Sequence, residues 1–257
     1  MKKIKFQCLN CRKILVESKE NFKCRNCGSE WKIENKIPQF TGNAIYWGEI
    51  TRYDMVYVNK QLTKNKYWKD VLRKVTEQKY KNQVPEPYSF TTDLSRANWH
   101  FLISLDKKSK VLDIGAGLGT VSEVLSHYYE EVVSVEPVRE RLYFCKKRFE
   151  QEGIKNIKLV NANALELPFP ENSFDLVVMN GVLEWVALYN KENPKKVQEQ
   201  VLINVLRILK PNGYLYIGIE NRLSYRHFTG HYDPHVNLLL ITLMPRMLAR
   251  IYSRIFT

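Results

Sequence analysis

The chain has 257 residues, 44% of them apolar and 26% charged, globular proportions that exclude disordered, collagen-like and coiled-coil chains. Its formal net charge is +13, from 40 Lys and Arg against 27 Asp and Glu, which directs attention to an anionic partner such as a nucleic acid or a charged surface. That charge is uneven: residues 1–40 carry 10 basic and 4 acidic side chains, residues 41–110 carry 13 and 7, and residues 111–257 carry 17 and 16.

The first element is cysteine-rich. Cys8-x-x-Cys11 and Cys24-x-x-Cys27 are separated by twelve residues. Two thiolates three positions apart on a tight turn reach one tetrahedral ion, and a second turn completes the set. Gly28 follows the second pair, where a positive φ is needed, and Lys13–Ser18 and Glu30–Glu34 read as short strands. The expectation is a zinc ribbon over residues 1–40, with a pair of redox dithiols as the other reading. Four cysteine ligands leave no open position, so the zinc is structural. About 40 residues bury too little apolar surface to fold alone, so removing the ion is expected to unfold residues 1–40 and spare the rest. Met1 to Cys8 shows no apolar run behind its lysines, and no stretch reaches the ~18 apolar residues of a membrane span, so a cytoplasmic protein is expected.

Residues 41–108 read as a helical bridging segment. Tyr53–Gln78 is helical in pattern with its lysines outward, Gln83–Pro87 breaks it, and Thr91 to Asp93 cap a further helix over Leu94–Leu105. The lysines read as a solvated face. Interleaved with Tyr53, Tyr57, Tyr67, Trp68 and Tyr80, they also allow RNA or sugar binding.

From residue 109 the pattern alternates strand and helix. Val111–Ile114 is a strand, Gly115, Gly117 and Gly119 form a glycine loop, and Thr120–Tyr128 is a helix. Such a loop lets a ligand approach the backbone, and the helix start adds amide donors. Glu131–Val135 is a second strand with Glu136 at its end, placed to accept both hydroxyls of a ribose. Pro137 opens the next helix, in which Cys145 reads as a buried, inert thiol. Ile157–Val160 and Ser173–Met179 are further strands, with Asn180–Trp185 at the carboxyl end of the latter. A helix over Gln198–Leu209, a turn at Pro211–Gly213 and a fifth strand over Tyr214–Ile219 follow.

The glycine loop with Asp113 two positions ahead departs from the dinucleotide fingerprint and resembles motif I of the class I S-adenosylmethionine-dependent methyltransferases. Asn161–Pro170 is similar to that family's Asp-Ala-x-x-Leu-Pro-Phe segment, and Leu-Lys-Pro-x-Gly before the fifth strand is a further likeness. The resemblance covers residues 92–220. It implies a Rossmann-like α/β sheet over residues 109–257 and S-adenosylmethionine as cofactor. The cofactor site it implies is Asp113, Gly115, Gly117, Gly119, Glu136, Pro137, Asn163, Ala164 and Asn180. In that site Asn163 accepts from the adenine amino group and Ala164 offers its amide.

Tyr46–Glu49, Ser95–Trp99, Asn180–Trp185, Ile219–Arg222, Asp233–His235 and Leu243–Arg246 resemble bacterial methyltransferases of surface-polysaccharide and glycan biosynthesis. This implies methyl transfer to a saccharide or glycan precursor. The alternatives are an RNA base methyltransferase, which would bind through the basic N-terminal half, and a non-catalytic or split binding module. His227, His231 and His235 read as a loop over the active site rather than a second metal site, and Asp233 with His235 is the candidate base pair. Members of the class have two more strands. Val236–Phe256 does not read as strands, so a sheet lacking its last strands is expected, its edge open or completed by a second chain. Pro245–Phe256 reads as a helix with Arg246, Arg250 and Arg254 on one side, a solvated face or a contact to anionic lipid.

Overall fold

The computed structural model describes residues 4–42, 44–46, 48–81, 83, 86–189, 192–221, 223–233 and 238–256. Its centre is a five-stranded parallel sheet. The strands are β5 (Lys110–Ile114), β6 (Glu131–Val135), β7 (Ile157–Val160), β8 (Phe174–Asn180) and β9 (Leu209–Gly218). Helices α4 (Thr120–Tyr128), α5 (Arg139–Gln151) and α6 (Pro194–Ile208) connect them. Parallel strands covered on both faces must be apolar almost throughout. Val132, Val133 and Val135 of β6 and Leu176 to Met179 of β8 are accordingly inaccessible to solvent.

The spatial order is β7-β6-β5-β8-β9. The chain begins in the middle, steps outward through β6 and β7, and returns to β8 on the other side of β5. The loops leaving β5 and β8 therefore diverge, and the crevice between them is where open α/β sheets bind ligands.

The elements before the sheet cover it. Strands β1 (Val16–Glu17), β2 (Asn21–Lys23), β3 (Glu30–Glu34) and β4 (Ile37–Pro38) form a small antiparallel sheet in chain order. Beyond β4 the chain runs parallel to the end of β7, bridging Gln39 to Asn161. The Asn161 amide donates to the Pro38 carbonyl at 2.9 Å, and the Phe40 amide donates to the Asn161 carbonyl at 2.7 Å. Phe6 packs on Phe22, Phe40 and Phe169 with centroids 4.8, 5.0 and 5.7 Å apart, and Phe169 continues to Phe174 at 5.0 Å. One apolar cluster thus runs from the cysteine unit to the centre of the sheet.

Helices α1 (Arg52–Leu62), α2 (Trp68–Lys79) and α3 (Pro87–Thr92) lead to a 3-10 helix at Leu94–Leu102. The single helical pattern expected over residues 53–78 is broken by a turn at residues 63–67, where Asn65 adopts φ 58°. Trp68 then turns inward. It is wholly buried, meets Phe144 of α5 edge-on at 5.7 Å, and donates from Nε1 to Glu152 Oε1 at 2.6 Å. Tyr53 and Tyr57 are exposed. The turn expected at Pro211–Gly213 is a bulge inside β9, with Asn212 at φ 63°.

Among the described residues the sheet ends at β9, and residues 219–256 contribute an isolated bridge, Tyr232 to Leu239. They also hold α7 (Tyr225–Phe228), a 3-10 turn at Ile241–Leu243 and α8 (Arg246–Phe256). No described helix is long and apolar enough to cross a membrane.

Candidate functional site

The crevice at the carboxyl ends of β5 and β8 is a cleft of about 670 Å³. Its floor is the glycine loop. Gly115, Gly117 and Gly119 all have positive φ, at 71°, 56° and 87°. A Cβ on Gly115 would lie 2.5 Å from Val182 Cγ2, and one on Gly119 would lie 2.7 Å from Phe149 Cζ. A Cβ on Gly117 would meet only the Gly115 carbonyl, at 3.9 Å, so a side chain there grows into the cleft. Gly117→Val is therefore expected to abolish cofactor binding. Its cost in stability is about 1–2 kcal/mol for the left-handed backbone. Calorimetric titration with S-adenosylmethionine checks this, and unchanged affinity would remove the loop from the site.

Glu136 is buried beside this loop. Its Oε2 accepts from the Gly117 amide at 3.0 Å and its Oε1 accepts from the Val138 amide at 2.9 Å. Arg141 Nη1 stands 3.9 Å from Oε2. Burial raises the pKa of this carboxyl, while Arg141 and the two amides oppose the rise. The helix expected to open at Pro137 starts two residues later, at Arg139, and Glu136 supplies the acceptor for the intervening turn.

Asp113 lies beneath the loop. Ser122 donates to its Oδ2 at 2.5 Å, and Ser134 donates to Ser122 at 2.7 Å. Burial lifts the Asp113 carboxyl from 3.8 to about 7, against the pull of Ser122 and Arg96. Between those two values the folded chain keeps a proton that the unfolded chain has released. Stability therefore falls as pH rises through that window. An Asp113→Asn chain should lose this slope when melting temperature is followed against pH.

Asn163 and Ala164 line the cleft. The Asn163 carbonyl oxygen expected to face adenine accepts instead from the amides of Leu165 and Glu166, at 2.8 and 2.9 Å. The segment turns too tightly there to leave that oxygen facing the cleft alone. Pro137 and Asn180 are also in the wall. Asn180 lies over Gly218, where a Cβ would be 2.2 Å from its Oδ1.

The structure also brings the bridging segment to the cleft, including Gly48 and Glu49 of the Tyr46–Glu49 segment and Arg96 of Ser95–Trp99. Ile45, Gly48, Glu49, Gln83, Phe90 and Arg96, all from the bridging segment, form one wall. Arg141 links that wall to the floor, with Nη2 3.8 Å from Glu49 Oε2. Tyr46, near this arginine, has its hydroxyl pushed up to about 12 by burial. Asn161 is wholly buried and donates through Nδ2 to the carbonyls of Glu136 and Pro137, at 3.0 and 2.8 Å. Sequence offered no signal for it, because its role depends on the strand docked against it. Arg148, one of the most deeply buried side chains, donates to Glu123 at 2.7 Å and to the Leu118 carbonyl at 2.8 Å, bracing the loop from behind. Cys145 is buried with its thiol pKa raised, as expected of an inert group.

The opposite wall comes from the turn after β8 and from the end of β9: Glu184, Trp185, Tyr216 and Glu220. Asp233, expected to act as a base with His235, is buried away from the cleft lining, its amide donating to the Leu238 carbonyl at 3.0 Å. His235 lies outside the described residues.

At the other end of the molecule, the sulfurs of Cys8, Cys11, Cys24 and Cys27 all lie within 4.8 Å of one another. Two turns of the same construction hold them. The Cys8 amide donates to Lys13 and the Arg12 amide to the Cys8 carbonyl. The Cys24 amide donates to Ser29 and the Gly28 amide to the Cys24 carbonyl. Gly28 has φ 75°, as the spacing predicts, and Arg12 takes the matching place at φ 60°. The Cys11 amide points at Cys8 Sγ, 3.4 Å away, and Ser29 helps lower the Cys27 thiol to about 6. Ligands of one ion with metal–sulfur bonds of about 2.3 Å can span such distances.

Residues 112–217 match the family described as "Methyltransferase domain". Over 104 residues the chain is 31% identical to an uncharacterized methyltransferase, YcgJ, of Bacillus subtilis, covering 40% of this chain and 38% of that protein. Over 181 residues it is 27% identical to the ubiquinone/menaquinone biosynthesis C-methyltransferase UbiE of Wigglesworthia glossinidia brevipalpis, covering 66% and 65%. The crystal structure of the Bacillus YcgJ protein aligns with a TM-score of 0.42 and 24% identity, covering 48% of this chain and 49% of that one. The chain thus spans between 38% and 65% of these curated relatives. Residues 112–217 are thus similar to a methyltransferase domain, and they lie on the parallel sheet described above.

Proposed function

We propose that the chain transfers a methyl group from S-adenosylmethionine to a hydroxyl of a glycan or glycan precursor. One observation carries the choice of acceptor. In a chain of net charge +13, the cleft wall away from the glycine loop carries three carboxylates, Glu49, Glu184 and Glu220, against two guanidinium groups, Arg96 and Arg141. Carboxylates accept from sugar hydroxyls, and the rings of Trp185 and Tyr216 offer flat apolar faces to a pyranose. The same carboxylates repel a phosphodiester chain, so the basic N-terminal half does not make this an RNA site. A second reading is methylation of a quinone ring, favoured by the names of UbiE and of a demethylmenaquinone methyltransferase of Listeria welshimeri, 30% identical over 117 residues. A quinone ring calls for a mainly apolar wall, and Ile45, Phe90, Val182, Val186, Leu188 and Ile219 supply apolar lining beside the carboxylates.

S-adenosylmethionine supplies an electrophilic methyl on a sulfonium and departs as a thioether. The open space at Gly117 and the carboxylate of Glu136 fit its ribose and amino-acid portions, with Asn163, Ala164 and Asn180 around the base and tail. Glu184 is the group we assign as base: it stands in the turn after β8, with Oε1 3.8 Å from the Cβ position of Gly181. There it would accept the proton of the acceptor hydroxyl as its oxygen attacks. Glu49 and Arg141, closing over the floor, exclude water and orient the acceptor. The four cysteines hold structural zinc, in a ribbon that braces the sheet edge.

Incubation with methyl-labelled cofactor and fractionated cell extract tests the acceptor. Label is expected in saccharide or lipid-linked saccharide. Label confined to RNA or to quinones would overturn the glycan assignment. Absence of any melting shift at millimolar cofactor would instead favour a non-catalytic module.

A further inference from the structure

Helix α8 is amphipathic in an inverted sense. Arg246, Ala249, Arg250 and Ser253 line a groove with Ile241 and with Asn193, Pro194, Lys195 and Gln198 at the start of α6. The opposite face points to solvent. Met247 is 73% exposed, Ile255 68%, Phe256 64%, Ile251 52% and Leu248 50%, and no residue of the helix is buried. Leu240, just before the 3-10 turn that α8 contacts, is exposed as well. A contiguous apolar face of this kind on a folded chain marks a contact surface.

Charge decides what fits it. No acidic residue follows Asp233, while Arg246, Arg250 and Arg254 recur at helical spacing and Lys195 faces them across the groove. An apolar stripe bordered only by cations is the arrangement of helices that lie in the headgroup region of an anionic bilayer. A second copy of the chain is a poorer occupant. A two-fold contact through α8 would set like arginines against each other with no carboxylate on the helix to pair them. We propose that α8 docks this protein on an anionic lipid surface, with Met247, Leu248, Ile251, Ile255 and Phe256 in the acyl boundary and the arginines at phosphate level. The proposal is independent of the acceptor reading.

Co-sedimentation of the full chain with vesicles tests this. Vesicles of phosphatidylglycerol and phosphatidylethanolamine should carry the protein down, and phosphatidylcholine vesicles should do so at least about ten-fold less well. Ile251→Asp should lower binding to the anionic vesicles about ten-fold or more, as should Arg250→Glu with Arg254→Glu. Both variants alter exposed positions, and an unchanged melting shift with S-adenosylmethionine confirms that they are folded. Failure of the unaltered chain to bind anionic vesicles would overturn the proposal. So would equal binding by both variants, or self-association that Ile251→Asp abolishes without any vesicle binding.

Discussion

Glu184→Gln should lower kcat by about 10²–10⁴-fold, the usual contribution of a general base, and leave the affinity for S-adenosylmethionine unchanged. The glutamine keeps the shape of the side chain but cannot take a proton. The proposed cofactor contacts centre on the glycine loop and Glu136, so binding and chemistry are expected to separate. Initial rates and calorimetric titration on the same preparation give the two readouts. A pH profile adds a third: the acid limb of kcat in the parent chain should vanish in the variant. Asp233→Asn is the control. Asp233 lies away from the cleft lining, so its loss should leave the limb in place. If Asp233→Asn removes catalysis and Glu184→Gln does not, the base has been misassigned.

The second large effect concerns the cysteine unit. Cys24→Ser, or removal of metal by a chelator, is expected to lower the melting temperature of the whole chain by more than 10 °C in a single transition. Structural zinc in small domains is worth about 10–16 kcal/mol of folding free energy, comparable with the entire stability of a domain, about 5–15 kcal/mol. Sequence alone suggested that residues 1–40 would unfold independently. We expect coupled unfolding instead, because Phe6, Phe22, Phe40, Phe169 and Phe174 belong to one cluster. The effect should also reach the cofactor. Residues 38–40 are hydrogen-bonded to Asn161, whose side chain holds the carbonyls of Glu136 and Pro137. Loss of the metal should therefore weaken S-adenosylmethionine binding in the chain that remains folded. Calorimetry with and without chelator distinguishes the cases. Two separate transitions, with the main one unmoved, would overturn the coupling.

The glycine loop, the carboxylate after β6 and the paired cysteines were legible because each is local. A few adjacent residues must adopt one backbone shape, and only certain residue types permit it. The strands were legible for the same reason, as short β-branched runs. What could not be read was contact between distant segments. Asn161 is one polar residue in a loop until β4 is docked on it. Arg148 looks like a solvated lysine-type position on α5 until Glu123 and the Leu118 carbonyl are seen around it. Glu49 was marked in sequence only as part of the Tyr46–Glu49 segment, and its pairing with Arg141 over the floor needed the fold. Asp233 next to a histidine resembled catalytic machinery, but proximity in sequence said nothing about which way the loop would carry it. Asn163 kept its place in the cleft wall while its oxygen was taken by the neighbouring turn.

The docking of the cysteine unit on β7 also sets an order in time. Phe6 and Phe22 leave the ribosome early, but Phe169 and Phe174, against which their cluster is completed, are made some 150 residues later. At ~5–20 residues per second the delay is on the order of 10 s. Through that interval the four thiols sit on an unfinished surface, open to oxidation. A metal ion held by these thiols would have to reach the nascent chain within that interval to shield them.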